Sequence, residues 1–143
     1  MSTSRATLPS PSRWSSAHEK RALIVGIGVD VVDIARFERG LIRTPALKER
    51  LFAQGEQVRD GAPMPLRSLA GRFAAKEALI KALGDSSGVT WHDMRIVSND
   101  LGNPGFELFA STRAIADARG ITAIHLSMSH DAGFAIAYVI AES

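Results

Sequence analysis

The spacing of hydrophobic and polar positions changes period several times along this chain, and each change marks a predicted element. From Ala22 to Asp30 the residues alternate. Leu23, Val25, Ile27 and Val29 point one way, and Ile24, Gly26, Gly28 and Asp30 the other, which predicts a strand. Ile34, Phe37 and Leu41 then recur at helical spacing over 34–42, and Pro45 breaks the run. Ala46 to Phe52 adds a turn or two of helix, and Gly55 to Pro65 reads as loop.

The longest helical period follows. Leu66, Leu69, Ala70, Phe73 and Ala74 lead into a stretch rich in Ala, Leu, Lys and Glu, so the helix begins after Pro65 and stops at Gly84. Met94 to Ser98 and Phe106 to Phe109 form a hairpin around the turn 99–105. Ser111 to Arg119 reads as a helix, with Ser111 as cap and Gly120 as stop. Ala123 to Ser129 and Gly133 to Ala141 are strands joined through His130-Asp131-Ala132. In the last of these, Ile136, Tyr138 and Ile140 alternate with Ala135, Ala137 and Val139. It is apolar on both faces and is expected at the centre of its sheet.

Residues 1 to about 20 show no hydrophobic period and are dominated by Ser, Pro, Thr and Arg. They read as a disordered extension before a single domain, 21–143. The apolar segment of a secretory signal is absent, and Arg and Ser without acid only faintly suggest an organellar address. A cytoplasmic location is expected. At 143 residues the chain suffices for one domain with a proper core. It has no cysteine, hence no disulfide, thiol nucleophile or thiolate metal site. Its apolar runs are of strand length, so no membrane span is expected. Net charge is only +2, but arginines concentrate between Arg36 and Arg72. A local basic face suits an anionic partner; with few aromatics and no recognition motif, nucleic acid is not expected.

Two carboxylates are out of place. Glu77 lies four residues after Phe73 and three before Ile80, at the margin of the apolar stripe, where an unpaired charge is costly. Pairing with Lys81, one turn on, is the simplest account of Glu77 alone. The second carboxylate, Asp30, ends the glycine-bearing face of the first strand. Asp33 can cap the following helix, which leaves Asp30 without a local task. The Gly26-Ile27-Gly28 run lacks the third glycine of a dinucleotide fingerprint, because residue 31 is Val. Two hard oxygen donors flanked by Arg72, Lys76 and Lys81 suit Mg²⁺ and a phosphorylated substrate.

At this point three blocks resemble one family. They are Gly26-Ile27-Gly28-Val29-Asp30-Val31-Val32-Asp33-Ile34, then Leu69-Ala70-Gly71-Arg72-Phe73-Ala74-Ala75-Lys76-Glu77-Ala78 with Lys81-Ala82-Leu83-Gly84, and Leu126-Ser127-Met128-Ser129-His130 with Ala135-Ile136-Ala137. Together they resemble the holo-[acyl-carrier-protein] synthases, the small trimeric branch of the 4′-phosphopantetheinyl transferases. The resemblance covers about residues 22 to 141.

It implies an α/β (α+β) fold with an antiparallel-rich sheet packed against a long central helix. It also implies a homotrimer with an active site at each subunit interface. The implied reaction moves the 4′-phosphopantetheine arm of coenzyme A to a serine of an acidic acyl carrier protein, releasing adenosine 3′,5′-bisphosphate. On this resemblance Asp30 and Glu77 hold Mg²⁺. Arg72, Lys76 and Lys81 meet coenzyme A phosphates, and His130 lies near the 3′-phosphate. Arg36 and Arg43 dock the carrier. Catalysis falls to Glu77, Lys81 and Asp30. Without cysteine, direct in-line transfer is expected.

The chain departs from the family in two places. Gly102-Asn103-Pro104 stands where Gly-Lys-Pro is common, and Phe52-Ala53-Gln54-Gly55-Glu56 lacks the Thr of a Phe-Thr-x-x-Glu motif. Competing readings are a Mg²⁺-dependent phosphohydrolase and a non-catalytic coenzyme A or nucleotide-binding module. Neither needs a basic docking helix.

Overall fold

A computed structural model describes residues 22–143, so the expected disordered extension lies outside the described residues. In chain order the elements are β1 (Ile24–Asp33), α1 (Ile34–Arg43), α2 (Ala46–Leu51), β2 (Val58–Arg59), β3 (Ala62–Pro63), α3 (Leu66–Leu83), β4 (Met94–Ser98), β5 (Pro104–Leu108), α4 (Ala110–Ala118), β6 (Ala123–Asp131) and β7 (Phe134–Glu142). The main sheet has the order β1-β7-β6 and is antiparallel throughout, so β7 is central as its two apolar faces predict. The hairpins β2-β3 and β4-β5 do not pair with its strands.

Helix α3 is the centre of the molecule. Eleven of its residues are buried, including Leu69, Ala70, Ala74, Ala75, Ala78, Leu79, Ala82 and Leu83. Five of these eight are alanines, which lets strands come close on several sides at once. The closest approach is from β1. A methyl group at Gly26 would lie 1.9 Å from the Ala82 carbonyl oxygen, and one at Gly28 would lie 1.8 Å from that of Ala78. Only glycine fits there, so the bare patch read from the sequence receives the backbone of α3. Gly84 closes the helix with φ +77°, the left-handed conformation that glycine tolerates best. Arg119 also serves this end, donating to the carbonyls of Ala82, Leu83 and Val25.

One face of the main sheet packs on α3 through Ala135, Ala137, Val139 and Ala141, all fully buried. The other face is apolar and open: Ile27, Val29, Val31, Phe134, Ile136 and Tyr138 are between 39% and 56% exposed. A continuous apolar sheet face of this kind marks an interaction surface.

Some boundaries differ from the sequence reading. Strand β1 runs on to Asp33, because β7 continues to pair with it as far as Phe134. The 55–65 loop is entered through a 3₁₀ turn, Gln54–Glu56, and contains the short β2-β3 hairpin. Helix α4 starts at Ala110 with Phe109 at its cap position, and Ser111 lies inside it. The Ser111 hydroxyl donates to Asp93 at 2.6 Å, and that carboxylate also accepts the Ser111 backbone N–H at 3.0 Å. The cap of α4 therefore comes from a residue distant in sequence.

Candidate active site

Close packing of β1 on α3 brings Asp30 and Glu77 to one cleft. Asp33, at the end of β1, caps α1 by accepting the Arg36 backbone N–H at 3.1 Å, so Asp30 is indeed free of that task. Lys81, one turn beyond Glu77, donates to Asp30 Oδ1 at 3.0 Å and to the Val29 carbonyl at 2.9 Å. Lys81 thus pairs with Asp30, and Glu77 is not rescued by it in the way the i,i+4 spacing suggested. Burial pushes the Glu77 carboxyl above its ordinary value. The neighbouring Asp30 charge pushes the same way, and Lys81 opposes both. Glu77 is a half-buried acid beside a second acid, with one shared lysine that hydrogen-bonds the other.

The cleft encloses about 770 Å³ and carries Arg36 and Arg50 as well as Asp30 and Glu77. Its wall is aromatic. Phe37 stacks on Phe73 with centroids 5.3 Å apart, and Trp91 tilts against Phe73 at 5.9 Å. These lining residues were not anticipated. Phe37 and Phe73 carry the apolar period of two helices and read as core, yet both line the cleft.

A second pocket, of about 340 Å³, lies elsewhere on the same chain and is strongly basic. Arg59, Arg67, Arg72 and His130 line it, with Ser129, Gly102 and Pro104. Arg72 is itself nearly buried and donates to the Ile96 carbonyl at 2.8 Å, which fixes its planar head against the pocket. The sequence placed Arg72 and His130 at phosphate-binding positions, and here they share one pocket. Arg59 and Arg67 were read only as part of a general basic face. The turn carrying Asn103 borders this pocket through Gly102 and Pro104, and Arg59 and Arg67 line the same pocket. Within one chain the carboxylate cleft and the basic pocket have no lining residue in common.

Lys76 departs from expectation. It does share a side of α3 with Arg72, but that side faces inward. Its side chain is fully buried, and its ammonium donates to Glu56 at 2.8 Å, the Leu51 carbonyl at 2.7 Å and the Trp91 carbonyl at 3.2 Å. All three of its hydrogens are used, leaving none for a phosphate. Burial pulls its ammonium below the usual lysine range, and Glu56 opposes this. Arg43 is exposed in the last turn of α1, outside the cleft that Arg36 lines.

The donor set accommodates a hard divalent cation. Among the described residues no group of three or more His, Asp or Glu gathers to enclose a metal, and Asp30 and Glu77 form a carboxylate pair. Such a sparse carboxylate pair suits Mg²⁺, which retains waters and takes its remaining oxygens from substrate phosphates.

A model of the 4′-phosphopantetheinyl transferase superfamily matches residues 26–139. The chain is 58% identical over 120 residues to the holo-[acyl-carrier-protein] synthase of Leifsonia xyli, covering 84% of this chain and 98% of that one. The solved synthase of Neisseria meningitidis superimposes with TM-score 0.77 at 33% identity, over 85% of this chain and 100% of the other. That of Helicobacter pylori, solved in complex with coenzyme A, gives 0.69 at 35% identity over 80% and 98%. The chain belongs to the 4′-phosphopantetheinyl transferase superfamily, in its holo-[acyl-carrier-protein] synthase family. It is a transferase.

Proposed function

We propose that this protein transfers the 4′-phosphopantetheine arm of coenzyme A to a serine of an apo acyl carrier protein, in a Mg²⁺-dependent reaction that releases adenosine 3′,5′-bisphosphate. The observation that carries the proposal is the meeting of Asp30 and Glu77 in one cleft beside Arg36. The homologous synthase of Helicobacter pylori binds coenzyme A, and the family name supplies the acceptor.

The geometry supports the following roles. Mg²⁺ held by Asp30 and Glu77 would neutralise charge that develops on the pyrophosphate during transfer. Glu77, whose affinity for a proton is raised by burial and by Asp30, accepts the serine proton directly or through a water it orders. Lys81, held beside Asp30 and 54% exposed, stabilises the departing phosphate. Arg59, Arg67, Arg72 and His130 take the nucleotide's phosphates. Arg36 and Arg43 steer the acidic carrier to the mouth of the cleft.

The basic pocket and the carboxylate cleft are separate within one chain, and the open apolar face of the β1-β7-β6 sheet needs a cover. We infer a homotrimer, in which a neighbour would cover the apolar face and one subunit's basic pocket would complete another's cleft. The functional test is mass spectrometry of an apo carrier incubated with the protein, coenzyme A and Mg²⁺. A gain of one phosphopantetheine is expected. Turnover of nucleotide without any change in the carrier would favour a phosphohydrolase instead.

A further inference from the structure

The proposed mechanism makes no use of the most deeply buried ion pair of the described structure. Glu56, in the 3₁₀ turn after α2, is 3% exposed, and its partner Lys76 is 0% exposed. Glu56 Oε1 accepts from Lys76 at 2.8 Å and from the Ala53 backbone N–H at 3.1 Å, and Oε2 accepts from the Ile96 N–H at 3.3 Å. Lys76 carries the link onward to the carbonyls of Leu51 and Trp91. On the other side, the Ile96 carbonyl is held by Arg72 at 2.8 Å. Leu51 and Trp91 line the carboxylate cleft, whereas Ile96 and Arg72 line the basic pocket. One carboxylate therefore sits between the walls of both half-sites, and its lysine precedes Glu77 in the helix.

We propose that Glu56 is a positioning residue for the transfer reaction, fixing the cleft wall and the basic pocket relative to the turn of α3 that carries Glu77. Stability alone does not call for this arrangement. A buried ion pair is often replaced by apolar residues of similar volume without loss. Apolar replacements cannot supply directional hydrogen bonds to two cleft-lining carbonyls and to the strand that orients Arg72. Alanine at 53 has no hydroxyl with which to reciprocate, so the hydrogen bond to the Ala53 N–H comes from Glu56 without a return side-chain bond. In the trimer proposed above, both halves recur at every interface, and a change at Glu56 is felt in each complete site. This inference rests on that functional reading.

The test compares wild type with two variants: Glu56→Met combined with Lys76→Met, which removes both charges together, and Glu56→Asp, which keeps the charge but withdraws it by one methylene. Folding is followed by circular dichroism, and steady-state transfer is measured with carrier and coenzyme A each varied. For the folded double variant, kcat/KM for both substrates is expected to fall by about tenfold to a hundredfold, the cost of misplacing reacting groups by a fraction of an ångström to an ångström. Glu56→Asp is expected to lie between it and wild type. Unchanged kinetics in a folded double variant would overturn the proposal. So would a change confined to the KM for coenzyme A, which would assign Lys76 to phosphate binding. If the double variant does not fold, Glu56→Asp decides: wild-type kinetics there would equally overturn it. A wild-type protein that transfers nothing to the carrier would instead defeat the functional reading itself.

Discussion

Gly28 of β1 lies directly against the Ala78 carbonyl of α3, and a single added methyl would sit 1.8 Å from that oxygen. The contact is backbone on backbone, so neither side can yield by rotating a side chain. It holds the strand so near the helix that Asp30, two residues on, reaches Lys81 and shares a cleft with Glu77. Gly28→Ala is expected to cost about 3 kcal/mol or more, at the upper end of overpacking penalties. Transfer should fall further than the folded fraction does, because Asp30 moves with the strand. Urea unfolding and activity measured on the same sample separate the two effects.

Glu77→Gln should have opposite effects on stability and activity. In the metal-free protein the Glu77 carboxylate is disfavoured by burial and by Asp30. Its folded-state pKa lies above the unfolded one, so the ionised form costs stability at neutral pH, and that cost fades as pH falls through the raised value. An amide of the same shape removes it. The melting temperature of metal-free Glu77→Gln should exceed that of wild type at neutral pH, while transfer is lost. Mg²⁺ should raise the wild-type midpoint and leave the variant's nearly unchanged. A variant less stable than wild type would contradict the like-charge account.

Carrier docking is tested by charge reversal. Arg36 lines the cleft and Arg43 lies one face further along α1, both exposed. Arg36→Glu with Arg43→Glu should raise the KM for the carrier much more than that for coenzyme A. Added salt should weaken carrier use in wild type and do so less in the variant. Equal effects on both substrates would argue against a docking role.

Asp93 provides a pH-dependent contribution away from the site. Hydrogen bonds donated by the Ser111 hydroxyl and backbone N–H hold the Asp93 carboxyl below its ordinary value of 3.8. A depressed folded-state pKa means that the stabilisation is complete above the ordinary range and is lost as pH falls through the lowered value. Ser111→Ala should therefore lower the melting temperature at neutral pH, and the difference should shrink as the carboxylate protonates in acid.

The sequence carried much of this. The alternation of Ala135, Ala137 and Val139 with Ile136, Tyr138 and Ile140 foretold the central strand, and Gly84 the end of α3. Asp30 and Glu77, which line one cleft, stood out because each was a charge at a position that local structure did not explain. Lys76 was misread for a physical reason. Helical spacing places it beside Arg72 but does not say which face is covered, and the covering group, Glu56, is 20 residues away. Arg59 and Arg67 were hidden differently: only the packing of the β2-β3 hairpin and the first turn of α3 beside the 99–105 turn gathers them around Arg72. The cap of α4 by Asp93 likewise depends on a contact that no local pattern contains.

The shared cleft of Asp30 and Glu77 is the claim on which the remainder stands. It is tested most directly by measuring transfer to apo carrier as Mg²⁺ is varied, for wild type, Asp30→Asn and Glu77→Gln. Wild-type rate should rise with Mg²⁺ and saturate, while each folded variant should fall at least about a hundredfold at every Mg²⁺ concentration. Near-wild-type rates in both variants, or a wild-type rate indifferent to Mg²⁺ and to its removal by a chelator, would contradict the account.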